Sequence, residues 1–340
     1  MSERILARRD MLRISAAVGV SAAFGGGVAA GLLRQAGVHT VRQTRPQMGT
    51  IVTITVAHPE LEGARAMVEG AFAEMGRLEG VLTRHRPDAP LGRLNTAGRI
   101  SHVPDELRYV LTSSLDLARR SGGAFDPTVL PVLKTWEAAR ADGLGRPSDQ
   151  AIEEARAFVD FGGLRFHEEG VLLDDPRMAV TLDGIAKGFV VDRTLDRLVG
   201  AGAERVLVDA GGDMATGGDA AARDPWTVAI QDPQSDGRAG LVRLAGGCIA
   251  TSGDYLQSFS EDRVDHHIID PRTGRSPKTT SSVSVMSDSA MDADGLATTL
   301  LVMGPEAGRT LIDDTPGAEA LIVDKEGERV QSRGFTMERA

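Results

Sequence analysis

The stretch Val180–Arg193, VTLDGIAKGFVVDR, decides how the chain is read. It starts from the apolar run Met178–Leu182, which reads as a short strand, and turns at Asp183-Gly184. Beyond the turn, Ile185, Phe189, Val191 and Leu195 recur at spacings that share one face of a helix. Gly184 and Gly188 carry no Cβ, so another backbone or a ligand can come close. A strand that turns through glycine into a helix aims free N–H groups and the positive end of the helix dipole at one point. That point suits a phosphate. Lys187 in the first turn adds a mobile positive charge. The same pattern also serves plain helix packing, and it is not a P-loop, since G-x-x-x-x-G-K-[ST] does not occur there.

Working outward, Arg205–Asp209 reads as a buried strand, so strand, helix and strand suggest a βαβ-like crossover. Val171–Asp174 is a strand on the other side, across a turn at Asp175-Pro176. Ile51–Val56 alternates with period two, and residues 60–82 form an amphipathic helix. Arg84–Asn95, with Pro87 and Pro90, reads as a loop. Pro104–Ser121 is a second helix, stopped by Gly122-Gly123. Asp126 precedes Pro127 and is held extended, either presenting its carboxylate or capping a helix. Residues 135–150 read as a solvated helix and loop, and 151–159 as a short helix. Further strands are expected at Trp226–Ile230, Leu241–Leu244, Ser282–Met286 and 318–323, with helices at Met291–Gly304 and 304–313. His266–Gly274 reads as a strand closed by a D-P-R-T-G turn. With no repeat and no long linker, residues 40–340 read as one α+β domain of one or two lobes.

The 340 residues are 41% hydrophobic, enough for a sizeable core. A net charge of −10 argues against a nucleic-acid partner held through phosphates. The single cysteine, Cys248, excludes an intramolecular disulfide and a cysteine metal cage, and its apolar neighbours suggest a buried thiol. Residues 1–33 read as a segment outside the fold. Arg8-Arg9-Asp10-Met11-Leu12 followed by the uncharged run Ile14–Leu33 fits a twin-arginine export signal, with an uncleaved membrane anchor as the alternative. Export would place the protein in the periplasm, free or attached to the inner membrane.

Asp294 and Thr298 are four apart on the expected helix, so their side chains share a face. A carboxylate and a hydroxyl are hard donors that suit Mg²⁺ completed by phosphate oxygens and water. The plain alternative is a helix cap at Asp294 and a back-bonded hydroxyl at Thr298. His266 and His267 are adjacent in an extended run and cannot chelate one ion together, but one of them could act as a general base.

The ordered set M-G-T (48–50), G-G-A-F-D-P-T-V (122–129), L-D-G-I-A-K-G-x-x-x-D (182–192), D-A-G-G-D (209–213), A-T-S-G-D (250–254), H-H-I-I-D-P-R-T-G (266–274) and D-x-x-x-T (294–298) resembles the ApbE family of FAD:protein FMN transferases. The resemblance implies an ApbE-like, T-fold-like α+β domain with mixed sheets and packed helices. It also implies a Mg²⁺-dependent transfer of FMN from FAD to a threonine or serine hydroxyl, with release of AMP. By motif position, Met48 and Ala124-Phe125-Asp126 would line the flavin site, and Thr181 and Lys187 would contact FAD. Gly184 would give a carbonyl to the metal, with Asp294 and Thr298 as side-chain ligands. His267, rather than His266, would deprotonate the acceptor, and Ile269 would pack on the nucleotide. The family's D-L-G-G-I-A-K-G is T-L-D-G-I-A-K-G here, so Asp183 is a candidate to replace the acid lost at Thr181. An aromatic common after the first helix is His85.

The acceptor implied is a flavin-carrying subunit of a membrane respiratory or electron-transfer complex, with an S/T-G-A-S/T-like motif. The flavoprotein partner of nitrous oxide respiration is the closest analogy. Two other readings use the same residues: an FAD pyrophosphatase yielding FMN and AMP, and a flavin-binding assembly protein without turnover.

Overall fold

The computed structural model describes residues 37–338. The export-signal reading at residues 1–33 lies outside the described residues. An eight-stranded sheet forms the centre, in the order β1 (His39–Gln47), β2 (Thr50–His58), β6 (Arg205–Ala210), β7 (Asp213–Gly217), β10 (Gly247–Gly253), β11 (Thr280–Ser287), β12 (Ala318–Asp324) and β13 (Arg329–Gln331). A three-stranded sheet joins β3 (Arg99–Ser101), β5 (Gly170–Leu173) and β4 (Leu164–His167), and β8 (Trp226–Gln231) pairs with β9 (Arg238–Leu244). The α+β class is as expected, but all these strand pairings are antiparallel rather than mixed.

The middle of the central sheet is covered on both faces, which explains why a strand such as β6 reads as an unbroken apolar run. Successive residues point to opposite sides. Val206 and Val208 therefore enter the large core with Cys248, Ala250, Ala320 and Ile322. Leu207, Ile249, Leu321 and Val323 enter a second core with Val228, Ile230, Val242 and Leu244 of the β8–β9 hairpin. The helical face carries α1 (Leu61–Leu82) on β1 and β2, α6 (Ala186–Gly200) on β6 and β7, α7 (Ala290–Met303) on β10 and β11, and α8 (Pro305–Asp313) on β12. The remaining helices are α2 (Pro90–Ala97), α3 (Asp105–Arg120), α4 (Leu130–Ala141) and α5 (Asp149–Arg156).

Several local expectations need correction. Met178–Leu182 is not a strand of any sheet; only Ala179 bridges, to Val129. The βαβ-like crossover therefore does not exist, and β6 pairs antiparallel with β2 and β7. His266–Gly274 is likewise a turn-rich segment with isolated bridges, its backbone fixed by side chains such as Ser276 and by the Asp270 turn rather than by a ladder. Arg84–Asn95 contains most of α2, which starts on Pro90, a residue suited to the first helical turn. The segment 135–150 is only partly solvated. Trp136 is fully buried and donates from Nε1 to Gly274 O (2.9 Å).

A close joint lies between α6 and α7. A Cβ built on Gly188 would stand 2.1 Å from Ala290 O, so only glycine permits this approach. Two residues bind the joint electrostatically. Gly188 N–H donates to Asp294 Oδ2 (3.0 Å), and the Asp192 carboxylate accepts from Ala290 N–H (2.7 Å), Met291 N–H (3.0 Å) and Ser289 Oγ–H (2.8 Å). Asp192 thus supplies negative charge to the start of a neighbouring helix, where the helix dipole favours it.

This contact yields a test with a sign. Helix propensity alone would make Gly188→Ala stabilising by up to about 1 kcal/mol. The backbone contact instead predicts a loss of about 1–3 kcal/mol, as for other overpacked sites. A urea unfolding curve with an unchanged or raised midpoint would show that the joint is looser than described.

Candidate active site

The glycine bend, Thr181–Ile185, passes between two other segments. On one side, Thr181 N–H donates to Pro127 O (2.8 Å), and a Cβ on Gly184 would lie 3.4 Å from Phe125 Cε2. On the other, the same Cβ would lie 3.1 Å from Thr298 Oγ1. Residues far apart in sequence are thus brought together: the A-F-D segment, the bend, and the α7 face that carries Asp294 and Thr298.

The plain alternatives for the α7 pair do not hold. Ser289 is the helix cap, accepting from Asp292 N–H (3.2 Å), which frees Asp294 to reach Gly188 on α6. Thr298 Oγ1 lies 3.3 Å from Ser252 Oγ on β10, whereas the neighbouring Thr299 makes the back-bond, to Gly295 O (2.7 Å).

Charge is concentrated here. Lys187 pairs with Asp213, whose side chain is 1% exposed. Burial alone would lower the Lys187 pKa, but Asp213, Asp294 and Asp209 outweigh it and raise it. Burial, then the nearby Asp294 carboxylate, pushes Asp213 upward against the pull of Lys187. Asp209, at the start of the same turn, is raised by burial to about 6. Two buried carboxylates, Asp213 and Asp294, thus share one ammonium.

Among the described residues no three His, Cys, Asp or Glu side chains gather as a metal group. The donors at the bend are instead the Asp294 carboxylate, the Thr298 hydroxyl and the Gly184 backbone. Hard oxygens with one or two carboxylates fit Mg²⁺ when phosphate oxygens complete the shell. The local excess of negative charge fits as well. Among the described residues, Lys187 is the only cation that pairs with these acids.

His267 is placed by one carbonyl. Gln257 O accepts from His267 N–H (3.0 Å) and from Nδ1 (3.1 Å). A carbonyl only accepts, so Nδ1 carries the proton and Nε2 is left as a lone-pair base. Burial holds the pKa below the ordinary histidine value, and Asp183 and Lys187 are both near enough to perturb it. The ring is therefore neutral at pH 7. His266 is fully buried, with its pKa pushed down to about 4 by burial, and has no route to a substrate.

Other expected residues have structural duties. Asp126 uses its carboxylate within its own turn. Oδ1 accepts from Thr128 N–H (2.7 Å) and Oγ1 (2.6 Å), and Oδ2 from Phe161 N–H (3.0 Å). Met48 stands at the β1–β2 turn with φ 52°, packed on the large core. Ile269 is 6% exposed and packs in a third cluster with Leu130, Trp136 and Ile152, so its side chain offers little to a nucleotide. Thr181 Oγ1 accepts from Asp183 N–H (3.2 Å) and shapes the bend. Asp183 is paired to Arg84, whose Nε donates at 2.7 Å while another guanidinium nitrogen donates to Glu137 (2.6 Å). Sequence reasoning missed Asp213, Arg84 and Gln257 in these parts. The D-A-G-G-D motif was the only signal, and it pointed at Asp213 without saying what it pairs with.

The ApbE family model matches residues 48–322. The FAD:protein FMN transferase of Treponema pallidum is 35% identical over 300 residues, covering 81% of this chain and 82% of that protein. The FAD:protein FMN transferase of Vibrio cholerae is 32% identical over 283 residues, covering 80% and 84%. Among solved structures, the ApbE protein of Thermotoga maritima superposes with a TM-score of 0.81 at 29% identity, covering 89% of this chain and 100% of that one. The flavin transferase ApbE of Vibrio cholerae gives 0.75 at 28%, covering 88% and 98%. With motif order, fold and site geometry in agreement, this chain belongs to the ApbE family.

Proposed function

We propose that this chain transfers the FMN half of FAD to a threonine or serine hydroxyl of an acceptor protein and releases AMP. The observation that carries the reading is the meeting of Thr298 with Gly184 in the bend and of Asp294 with Gly188 one turn on, next to Lys187, which lies within electrostatic reach of His267. Related FAD:protein FMN transferases support it.

In this reading His267 Nε2 takes the proton from the acceptor hydroxyl as its oxygen bonds to the flavin-side phosphorus. The bond from that phosphorus to the bridging oxygen breaks, and AMP departs with that oxygen. Lys187 and the positive end of the α6 dipole would offset the charge of the pyrophosphate. A Mg²⁺ held by Asp294, Thr298 and the Gly184 carbonyl would neutralise the same charge. Gln257 keeps the His267 ring in the tautomer that accepts a proton. The acceptor is a flavin-carrying subunit of a membrane respiratory or electron-transfer complex, and nitrous oxide respiration is one setting. The Arg8-Arg9 pattern supports a site of action outside the cytoplasmic membrane. A pyrophosphatase would use the same residues with water as acceptor. Incubation with FAD and Mg²⁺, with and without a hydroxyl acceptor, separates the two readings by which product carries FMN.

Two variants test the assignments. Asp294→Asn keeps an acceptor for Gly188 N–H but loses the charge, and should lower Mg²⁺-dependent AMP release by about 10²-fold or more. A normal rate would remove the residue from the metal site. His267→Ala should slow transfer by about 10²–10⁴-fold, the usual range for a general base, with FAD affinity nearly kept. Parallel losses in rate and FAD affinity would make His267 a binding residue instead.

A further inference from the structure

The base assigned above hangs on a loop that makes little use of sheet pairing. Residues 254–265 run from the end of β10 to the two histidines, with one isolated bridge, Ser258 to His266. Gln257, whose carbonyl orients His267, lies inside this loop. One side chain from a distant element ties the loop's start to its tip. Lys325, just past β12, donates from Nζ to Asp254 Oδ2 (2.5 Å) and to the Arg263 carbonyl (3.0 Å). Lys325 is itself held, its N–H donating to Thr279 O (3.1 Å). Asp254 is tied to β11 as well: Ser281 Oγ–H donates to Oδ2 (2.9 Å), and Asp254 N–H donates to Ser281 O (3.0 Å). The pair is sheltered, with Asp254 2% and Lys325 21% exposed in their side chains. Two further ties hold the outer limb: Arg146 on Asp265 (2.8 Å), half exposed on the arginine side, and Arg263, which donates to Pro233 O (2.9 Å).

We propose that Lys325 is a positioning residue for His267. By drawing Asp254 and Arg263 together it sets the Gln257 carbonyl, and with it the direction of the imidazole. Lys325 lies beyond residue 322, where the family match ends, and outside every motif that carries the resemblance. The inference rests on His267 as the proton acceptor. A staple that merely held the fold would change stability and leave the ring untouched. Loose placement of a catalytic group is costly in rate, because an error near 1 Å is enough to lose the productive geometry.

The test uses the full chain with FAD, Mg²⁺ and a synthetic Ser-Gly-Ala-Thr peptide as hydroxyl donor. Lys325→Met should slow transfer at saturating FAD by about 10- to 100-fold while FAD affinity is unchanged. Lys325→Arg, which keeps the donors, should restore most of the rate. In a His267→Ala background, Lys325→Met should add nothing. A second readout is independent of turnover. In ¹⁵N-histidine-labelled protein, the His267 ring should show a protonated Nδ1 and an unprotonated Nε2, a pattern lost in Lys325→Met. If wild-type protein does not transfer to the peptide, the function reading is what fails, and the ring signature alone decides the positioning role. Should Lys325→Met unfold because Asp254 is left buried and unpaired, the Asp254→Asn/Lys325→Met double variant removes that charge and is measured the same way. A wild-type ring signature in the variant overturns the proposal, as does an equal loss of rate with and without His267.

Discussion

The approach of α6 to α7 at Gly188 is the contact on which the rest of the site depends. Because residue 188 has no side chain, the two backbones meet and the α7 face reaches the bend. Asp294 can then accept a hydrogen bond from the Gly188 amide, and Thr298 stands against Gly184. Asp192 reinforces the joint by accepting from the first N–H groups of α7. A joint held apart by one methyl group would separate the carboxylate from the bend, and no change in side-chain rotamers could restore the distance. The glycines of this segment therefore set the geometry of the site, and their effect on chain entropy is secondary.

The charges follow from that geometry. Packing the helices on the sheet buries Asp213 and Asp294 beside Lys187, a costly arrangement in a low-dielectric interior. Left to stability alone, such acids would be replaced by apolar residues. The upward-shifted pKa of Asp213 reflects burial and repulsion from the nearby Asp294 carboxylate, the pattern expected where a cation and phosphates are to be received. Asp126 illustrates the opposite case. Its carboxylate is also buried, but three hydrogen bonds satisfy it, so its role is to hold the turn that presents Phe125.

Much of the fold was legible where burial is one-sided or complete. The amphipathic helix at 60–82 and the apolar strand at 205–209 came out close to α1 and β6, because period and composition agree with the environment. β1 was missed because HTVRQTRPQ is polar; it is an edge strand whose outer side faces solvent. The apparent strand at Met178–Leu182 failed for a different reason. Its residues are buried, but against helices and the A-F-D turn, so apolar character was present without a partner strand.

The sequence by itself determined which residue types are present and in what order. Seven short motifs, among them the D-x-x-x-T pair at helical spacing and the glycine bend before Lys187, sufficed to indicate the family. Such features are local, set by a few consecutive residues. Only the tertiary structure decided the partners: Asp213 for Lys187, Gly188 for Asp294, Gln257 for His267, Lys325 for the loop that carries it. It also showed Ile269 packed in an apolar cluster and the Asp126 carboxylate bonded to Phe161 N–H. Except for the short span from Gln257 to His267, these pairings join positions 26 or more apart. Even that near pair depends on how the loop closes, and closure is set by packing across the whole domain.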